Sequence, residues 1–146
     1  MKLTSFTDYS LRVLLYLAAD TSRRATVAEV AQAFEISEHH LTKVVHLLGK
    51  QGWIETVRGK GGGMVLAMEP KDIGIGRVVR DTEGAALPAE CFSEHGGACV
   101  ITGCCRLKGV LAEAVQAFYA ALDRYTLADL ARNRQALGKV LFLKAA

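Results

Sequence analysis

The chain is poor in several things at once: two prolines in 146 residues, a formal charge of only +3, and no apolar run near the ~18 residues of a membrane span. Few prolines, 51% hydrophobic and 23% charged residues exclude disordered, collagen-like and small disulfide-scaffold chains. The apolar stretch nearest the N-terminus, Val13 to Ala19, is short and follows Asp8 and Arg12, which argues against a signal peptide. A cytoplasmic protein without a membrane partner is therefore expected. Phosphate-binding loops, Ser-His-Asp sets and Cys-x-x-Cys pairs are also missing, so no enzyme class is supported. A length of 146 suits about one domain, which buries roughly two-thirds of its unfolded surface.

What is present is concentrated. Residues 1–80 carry 11 Lys and Arg against 8 Asp and Glu, whereas residues 81–146 carry 7 against 7. The excess positive charge thus lies in the first half, a mild bias that fits a nucleic-acid partner and equally an ordinary surface. All four cysteines and all four histidines fall in two short stretches.

Phe6, Val13, Leu14 and Leu17 recur at helical spacing and predict a first helix over residues 5–19. Thr26-Val-Ala-Glu29 is a capping box, and Val27, Val30, Ala31 and Phe34 form the apolar stripe of the helix behind it. Ser37 is the expected N-cap of a third helix, whose stripe is Leu41, Val44, Val45 and Leu48. Only Glu35-Ile36 separates these two helices, the pattern of a helix-turn-helix. The opposite face of the third helix carries His39, Thr42, Lys43, His46 and Lys50, with His40 beside it.

Trp53–Val57 and Met64–Ala67 read as strands around the tip Arg58-Gly-Lys-Gly-Gly-Gly63. A glycine-tipped hairpin bearing Arg58 and Lys60 directly after a helix-turn-helix is the wing of a winged helix. A short fourth helix is expected to begin at Asp72. From Thr82 to Cys104 periodicity disappears, a loop long enough to need something that organises it. It returns as Leu107, Leu111, Ala114, Phe118, Ala121 and Tyr125, a heptad seam suited to pairing with a second copy or to packing on its own domain. Thr126-Leu-Ala-Asp129 then signals the start of a last short helix. The expected class is mostly α with a small β-hairpin: a winged helix-turn-helix over 1–81, a cysteine-rich loop over 82–105, and a dimerisation helix with a C-terminal segment over 106–146.

Cys91, Cys99 and either Cys104 or Cys105 lie within fifteen residues. Soft thiolates on one loop can wrap an iron–sulfur cluster. Zinc is the nearest competitor, although the compact C-x₂₋₄-C pairs of structural zinc sites are missing, and thiol redox chemistry or inert cysteines stay open. Adjacent Cys104 and Cys105 cannot easily face one metal centre. Cys105 is favoured because it begins the helix that Leu107 continues, placing anionic sulfur at the positive end of the dipole; spacing alone allows Cys104 equally.

The opening Met1-Lys-Leu-Thr-Ser-Phe-Thr-Asp-Tyr-Ser-Leu-Arg12, the helix-turn-helix, the glycine-rich tip, Cys91-x₇-Cys99-x₅-Cys105-Arg-Leu107 and Tyr125-Thr-Leu-Ala-Asp-Leu130 together resemble the NsrR family. These are nitric-oxide-sensing iron–sulfur repressors related to the IscR regulators. The resemblance spans nearly the whole chain in the same order, and the cysteine spacing and the Tyr-Thr-Leu-Ala-Asp-Leu run are its specific parts.

It implies a homodimer on a palindromic double-stranded operator, with one cluster per subunit, 4Fe-4S ahead of 2Fe-2S, and loss of DNA affinity when nitric oxide attacks. It also implies Cys105 rather than Cys104 as ligand, and Asp8 reaching from the partner's first helix as the fourth. Cys104 is surplus to the family pattern, and His95 competes for the fourth position. Asp8 also has a plain role as an i, i+4 partner of Arg12, which would then couple ligation to the helix. On DNA, Ser37, His39, His40, Thr42 and Lys43 are expected at phosphates or base edges in the major groove, and Arg58 and Lys60 at the backbone or adjacent minor groove. The rivals are an iron or cluster-homeostasis regulator of the same fold, a zinc-binding winged-helix interaction module, and an enzyme using Cys104-Cys105 with His95.

Overall fold

A computed structural model describes residues 2–84, 89–93 and 98–143. Helix α1 (Ser5–Ala19) runs through the middle of the body, with Val13, Leu14, Tyr16, Leu17 and Ala18 almost wholly inaccessible. Thr4 starts it by accepting the Thr7 amide at 3.2 Å. Helix α2 (Val27–Phe34) has the full capping box: the Glu29 amide donates to Thr26 Oγ1 at 3.2 Å, and the Thr26 amide to Glu29 Oε2 at 2.6 Å. Its end is the left-handed Glu35, which turns the chain sharply into α3 (Glu38–Lys50). Ser37 does occupy the N-cap of α3, but its hydroxyl makes no capping bond, which corrects the expected role while leaving the boundary in place.

Leu41, Val44, Val45 and Leu48 seat α3 against α1 and α2. Fully burying such a side chain is worth about 1.5–3 kcal/mol, so this stripe holds the helix while its other face stays in water. Strands β1 (Ile54–Val57) and β2 (Gly63–Leu66) pair antiparallel, from Ile54 opposite Leu66 to Val57 opposite Gly63. Trp53 lies just outside the strand, buried, its indole N–H donating to Asp81 Oδ2 at 3.2 Å. Ala25 adds a one-residue third strand by exchanging both backbone hydrogen bonds with Met64.

The fourth helix begins later than Asp72. Pro70–Asp72 forms a 3₁₀ turn, and α4 covers Ile75–Glu83. The reason is backbone pairing: the Ile75 amide donates to the Tyr125 carbonyl and the Leu127 amide to the Ile73 carbonyl, so Ile73 and Gly74 stay extended and the helix starts only at Ile75.

The heptad seam is also shorter than its pattern. Helix α5 (Arg106–Leu122) ends before Tyr125, which sits in the following turn with its carbonyl spent on Ile75. At the C-terminal end of α5, Phe118, Tyr119 and Leu122 pack onto the body. There Arg80 grips Asp123 with two hydrogen bonds of 2.7 and 2.6 Å. At the other end Leu107 and Val110 are each 60% exposed, and none of the 17 residues of α5 is buried. Thr126 and Asp129 make the capping box foreseen for α6 (Leu127–Leu130). A further helix, α7 (Arg134–Leu143), returns to α1 and α2, with Phe142 edge-on to Tyr16 at 5.3 Å. Leu137 and Leu141, one helical turn apart, are too short a stripe to announce it.

Candidate nucleic-acid interface and cysteine segment

With its apolar stripe turned inward, α3 presents Ser37, His39, His40, Thr42, Lys43 and His46 to solvent. The Thr42 hydroxyl donates to the Glu38 carbonyl at 2.8 Å, which commits its proton and leaves its oxygen as an acceptor. The His39 and His40 rings stand 6.1 Å apart. Arg58 and Lys60 are exposed on the wing. Between α3 and the hairpin runs a groove of about 760 Å³ whose lining includes Thr42, His46, Lys50, Thr56 and Arg58, with Glu55 as its acidic member. Helix face and wing are thereby parts of one concave surface. Among the described residues, none of His39, His40, His46, Lys43, Arg58 and Lys60 has a carboxylate salt-bridge partner. Their donors are free for an anionic ligand.

Arg12 pairs with Asp8 at 2.7 Å, and its guanidinium lies 5.9 Å from the Tyr9 ring centroid and 5.8 Å from that of Phe34. It therefore bridges the Asp8 carboxylate on α1 and the last residue of α2.

Cys91 is half-buried in a 3₁₀ turn over Glu90–Phe92, and Cys99 and Cys104 are exposed. Cys105 is the N-cap residue of α5, as its position before Leu107 suggested. All four thiols are free. His95 lies outside the described residues. Among the described residues no three His, Cys, Asp or Glu side chains converge on a common point, so the cysteines are not preassembled as a ligand set. Their flanking residues are nonetheless tied together. The Ala98 amide donates to Glu90 Oε1 at 2.8 Å, and Lys108 Nζ lies 5.8 Å from the centroid of the Phe92 ring. These two contacts link the neighbours of Cys91 to those of Cys99 and of Cys105. A donor set dominated by soft thiols fits an iron–sulfur cluster better than a hard cation.

Sequence reasoning missed Glu90 and Lys108, and also Arg80, Asp81 and Glu83 at the end of α4. Arg80 reaches Asp123 beyond α5, Asp81 reaches Trp53, and Glu83 Oε1 accepts from the Thr4 amide at 2.7 Å. No local pattern signals the three α4 links, because they join residues 28 or more positions apart.

Residues 3–133 match the family described as Rrf2, iron-dependent transcriptional regulator. The chain belongs to the Rrf2 family. Among its Rrf2 relatives, the HTH-type transcriptional regulator NsrR of Geobacillus kaustophilus is 51% identical over 97% of each chain. That of Bacillus subtilis is 48% identical over 99% of each. Among solved structures, T. potens IscR superposes with a TM-score of 0.72 at 27% identity, covering 91% of this chain and 88% of that one. CymR, the global cysteine regulator of B. subtilis, gives 0.69 at 29% identity, over 91% and 98%. The Rrf2 chain is thus a DNA-binding transcriptional regulator of winged-helix fold, and among its described residues no helix is long and apolar enough to cross a membrane.

Proposed function

We propose that this regulator is a homodimeric repressor that holds one iron–sulfur cluster per subunit and releases a palindromic operator when nitric oxide attacks that cluster. The observation that carries this reading is the placement of the cysteines. Cys91, Cys99 and Cys105 lie on the stretch connecting α4, which packs on the helix-turn-helix body, to α5, whose first half is exposed. Near-full-length identity of 48–51% to regulators named NsrR supports this reading over an iron or cluster-homeostasis role, for which the IscR likeness is 27%.

Cys91, Cys99 and Cys105 are the thiolate ligands, in a 4Fe-4S rather than a 2Fe-2S centre, with Asp8 of the partner subunit as the fourth. Bound in this way, the cluster supplies iron that is open to nitric oxide. The rest of the mechanism belongs to the chain. Arg12 holds the Asp8 carboxylate in place and touches α2 through Phe34, so a change at Asp8 reaches the helix-turn-helix. In the major groove, Lys43 and the α3 residues Ser37, His39, His40 and Thr42 face phosphates and base edges, while Arg58 and Lys60 reach from the wing. A two-fold axis through the paired α5 helices sets half-sites about 34 Å apart. A near-complete switch requires the loaded form to favour the DNA-binding geometry by about 5.5 kcal/mol, within the range of a multi-ligand metal centre.

The test is anaerobic absorbance of reconstituted protein, with iron and sulfide assays and operator binding, before and after nitric oxide. A visible chromophore lost on titration, together with operator release, is expected. Zinc alone or no metal after reconstitution would sink the sensor, as would a Cys99→Ala dimer that holds the operator as tightly as loaded wild type. For DNA contact, Lys43→Ala should weaken binding to all sequences and lower the salt slope by roughly one. An unchanged slope removes Lys43 from the interface.

A further inference from the structure

We infer that Arg24, just before α2, is a third cation of the wing, braced against the tip so that its remaining donors meet a phosphate of the DNA backbone. Arg24 and Arg23 are adjacent in sequence and are used in opposite ways. The Arg23 guanidinium is spent inside the fold: it meets Glu29 Oε1 at 2.8 Å, the Tyr16 hydroxyl at 2.8 Å, and the Phe142 ring at 4.8 Å. Arg24 is exposed and, among the described residues, has no carboxylate partner. Among the described residues it makes one hydrogen bond, from Nη1 to the Gly61 carbonyl at 3.2 Å, across 37 positions of sequence.

Backbone pairing explains why it reaches that carbonyl. Ala25 exchanges hydrogen bonds of 3.0 and 2.8 Å with Met64, which lays residue 24 alongside the end of the hairpin. Gly63, at φ +147°, leaves room for this approach: a Cβ there would meet the Ala25 carbonyl oxygen at 2.9 Å and Arg24 Cβ at 3.1 Å. Gly61 immediately follows Lys60 in the chain, so the Arg24 guanidinium joins Arg58 and Lys60 at one tip. One donor on a neutral carbonyl fixes the planar guanidinium and cancels none of its charge. Among the described residues Nη2 and Nε have no hydrogen-bond partner, and a preorganised fork of this kind suits phosphate.

The assignment rests on the wing contacting DNA, as proposed above, and the experiment separates the two. Binding of the full-length protein to a random-sequence duplex is measured across a salt series for wild type, Arg24→Gln, Arg24→Lys, Lys60→Gln and the Arg24→Gln/Lys60→Gln double variant. Arg24→Gln should weaken binding on the order of tenfold and lower the salt slope by about 0.9, additively with Lys60→Gln, while Arg24→Lys keeps the slope. If Lys60→Gln lowers the slope and Arg24→Gln does not, Arg24 makes no phosphate contact and the wing reading stands. If neither lowers it, the wing itself is off the DNA. An Arg24→Gln effect that vanishes in the Lys60→Gln background reduces Arg24 to a brace for the tip, and equal slope loss in Arg24→Lys would mean the charge is not what matters; either result overturns the assignment.

Discussion

Within one chain, Asp8 and Arg12 form an i, i+4 pair whose side chains are 45% and 39% exposed. Solvent screens such a pair, so its loss costs the metal-free fold only a few tenths of a kcal/mol. Asp8→Asn should therefore shift the melting temperature of metal-free protein by less than about 2 °C. If the partner's cluster takes that carboxylate, the same substitution should change the visible spectrum of reconstituted protein and speed loss of its colour. Identical spectra and lifetimes would return Asp8 to the plain role of helix pairing. Glu29 behaves differently at this scale. Burial works to raise its pKa, but the Thr26 amide, Arg23 and the Thr26 hydroxyl outweigh burial and hold it below the ordinary glutamate value. A depressed folded pKa means that its stabilisation is complete above about pH 4.3 and is lost as pH falls through the folded value. Glu29→Gln should lower stability at pH 7 and flatten the acid limb of a denaturation series; an unaltered acid limb would show that the box carries no charge-dependent stability.

At the scale of elements, the junction of α4 and α5 leaves no room for a side chain at Gly76. A Cβ at Gly76 would collide with the Asp123 carboxylate and meet the Asp123 amide nitrogen at 3.0 Å. The same carboxylate is held by Arg80, whose guanidinium lies 4.5 Å from the Tyr119 ring centroid. Gly76→Ala must push the end of α5 away from α4 and break this clasp. Protection from hydrogen exchange should fall at Asp123 and Tyr125 while the α1–α3 core keeps its own; unchanged protection there would mean that the junction absorbs a methyl group. Nothing in the sequence announced this contact, because Gly76 in a helix reads locally only as a weak helix former. The elements that were legible have local causes. Thr26 with Glu29, Thr126 with Asp129, and the stripes of α1 to α3 write their signals within one or two turns. The start of α4, the end of α5 and the existence of α7 were not, since pairing of residues 73–75 with 125–127 and docking of Phe142 on Tyr16 join distant parts of the chain. The candidate site divides the same way: the exposed α3 face and Cys105 at a helix start follow from periodicity, whereas Arg24 on Gly61 and Glu90 on the Ala98 amide do not.

For the whole molecule, the decisive asymmetry is that α5 is anchored at one end and bare at the other. Its C-terminal end is packed on the body through Phe118, Tyr119 and Leu122, yet Leu107 and Val110 near its start are each 60% exposed, and Val100 and Ile101 just before it are 97% and 52% exposed. Leaving that much apolar surface in water along one helix and its approach is unfavourable for an isolated chain, and the seam positions on the unpacked part of α5, Leu107, Leu111 and Ala114, are spaced by four and three as a self-complementary helix pair requires. A two-fold partner covers the same residues on both subunits at once, so one substitution strikes the interface twice. If the protein pairs through this face as proposed, wild type should be a dimer in sedimentation equilibrium and Leu107→Asp combined with Val110→Asp a monomer. Because Leu107 and Val110 lie outside the core that holds Leu41, Val44 and Leu48, far-ultraviolet circular dichroism should keep its helical signal. Operator binding should then lose its dependence on half-site spacing, since spacing is read only when two α3 helices are held at a fixed separation. A variant that remains dimeric would place the interface elsewhere on the molecule, and with it the position proposed for Asp8 of the partner subunit would have to be abandoned.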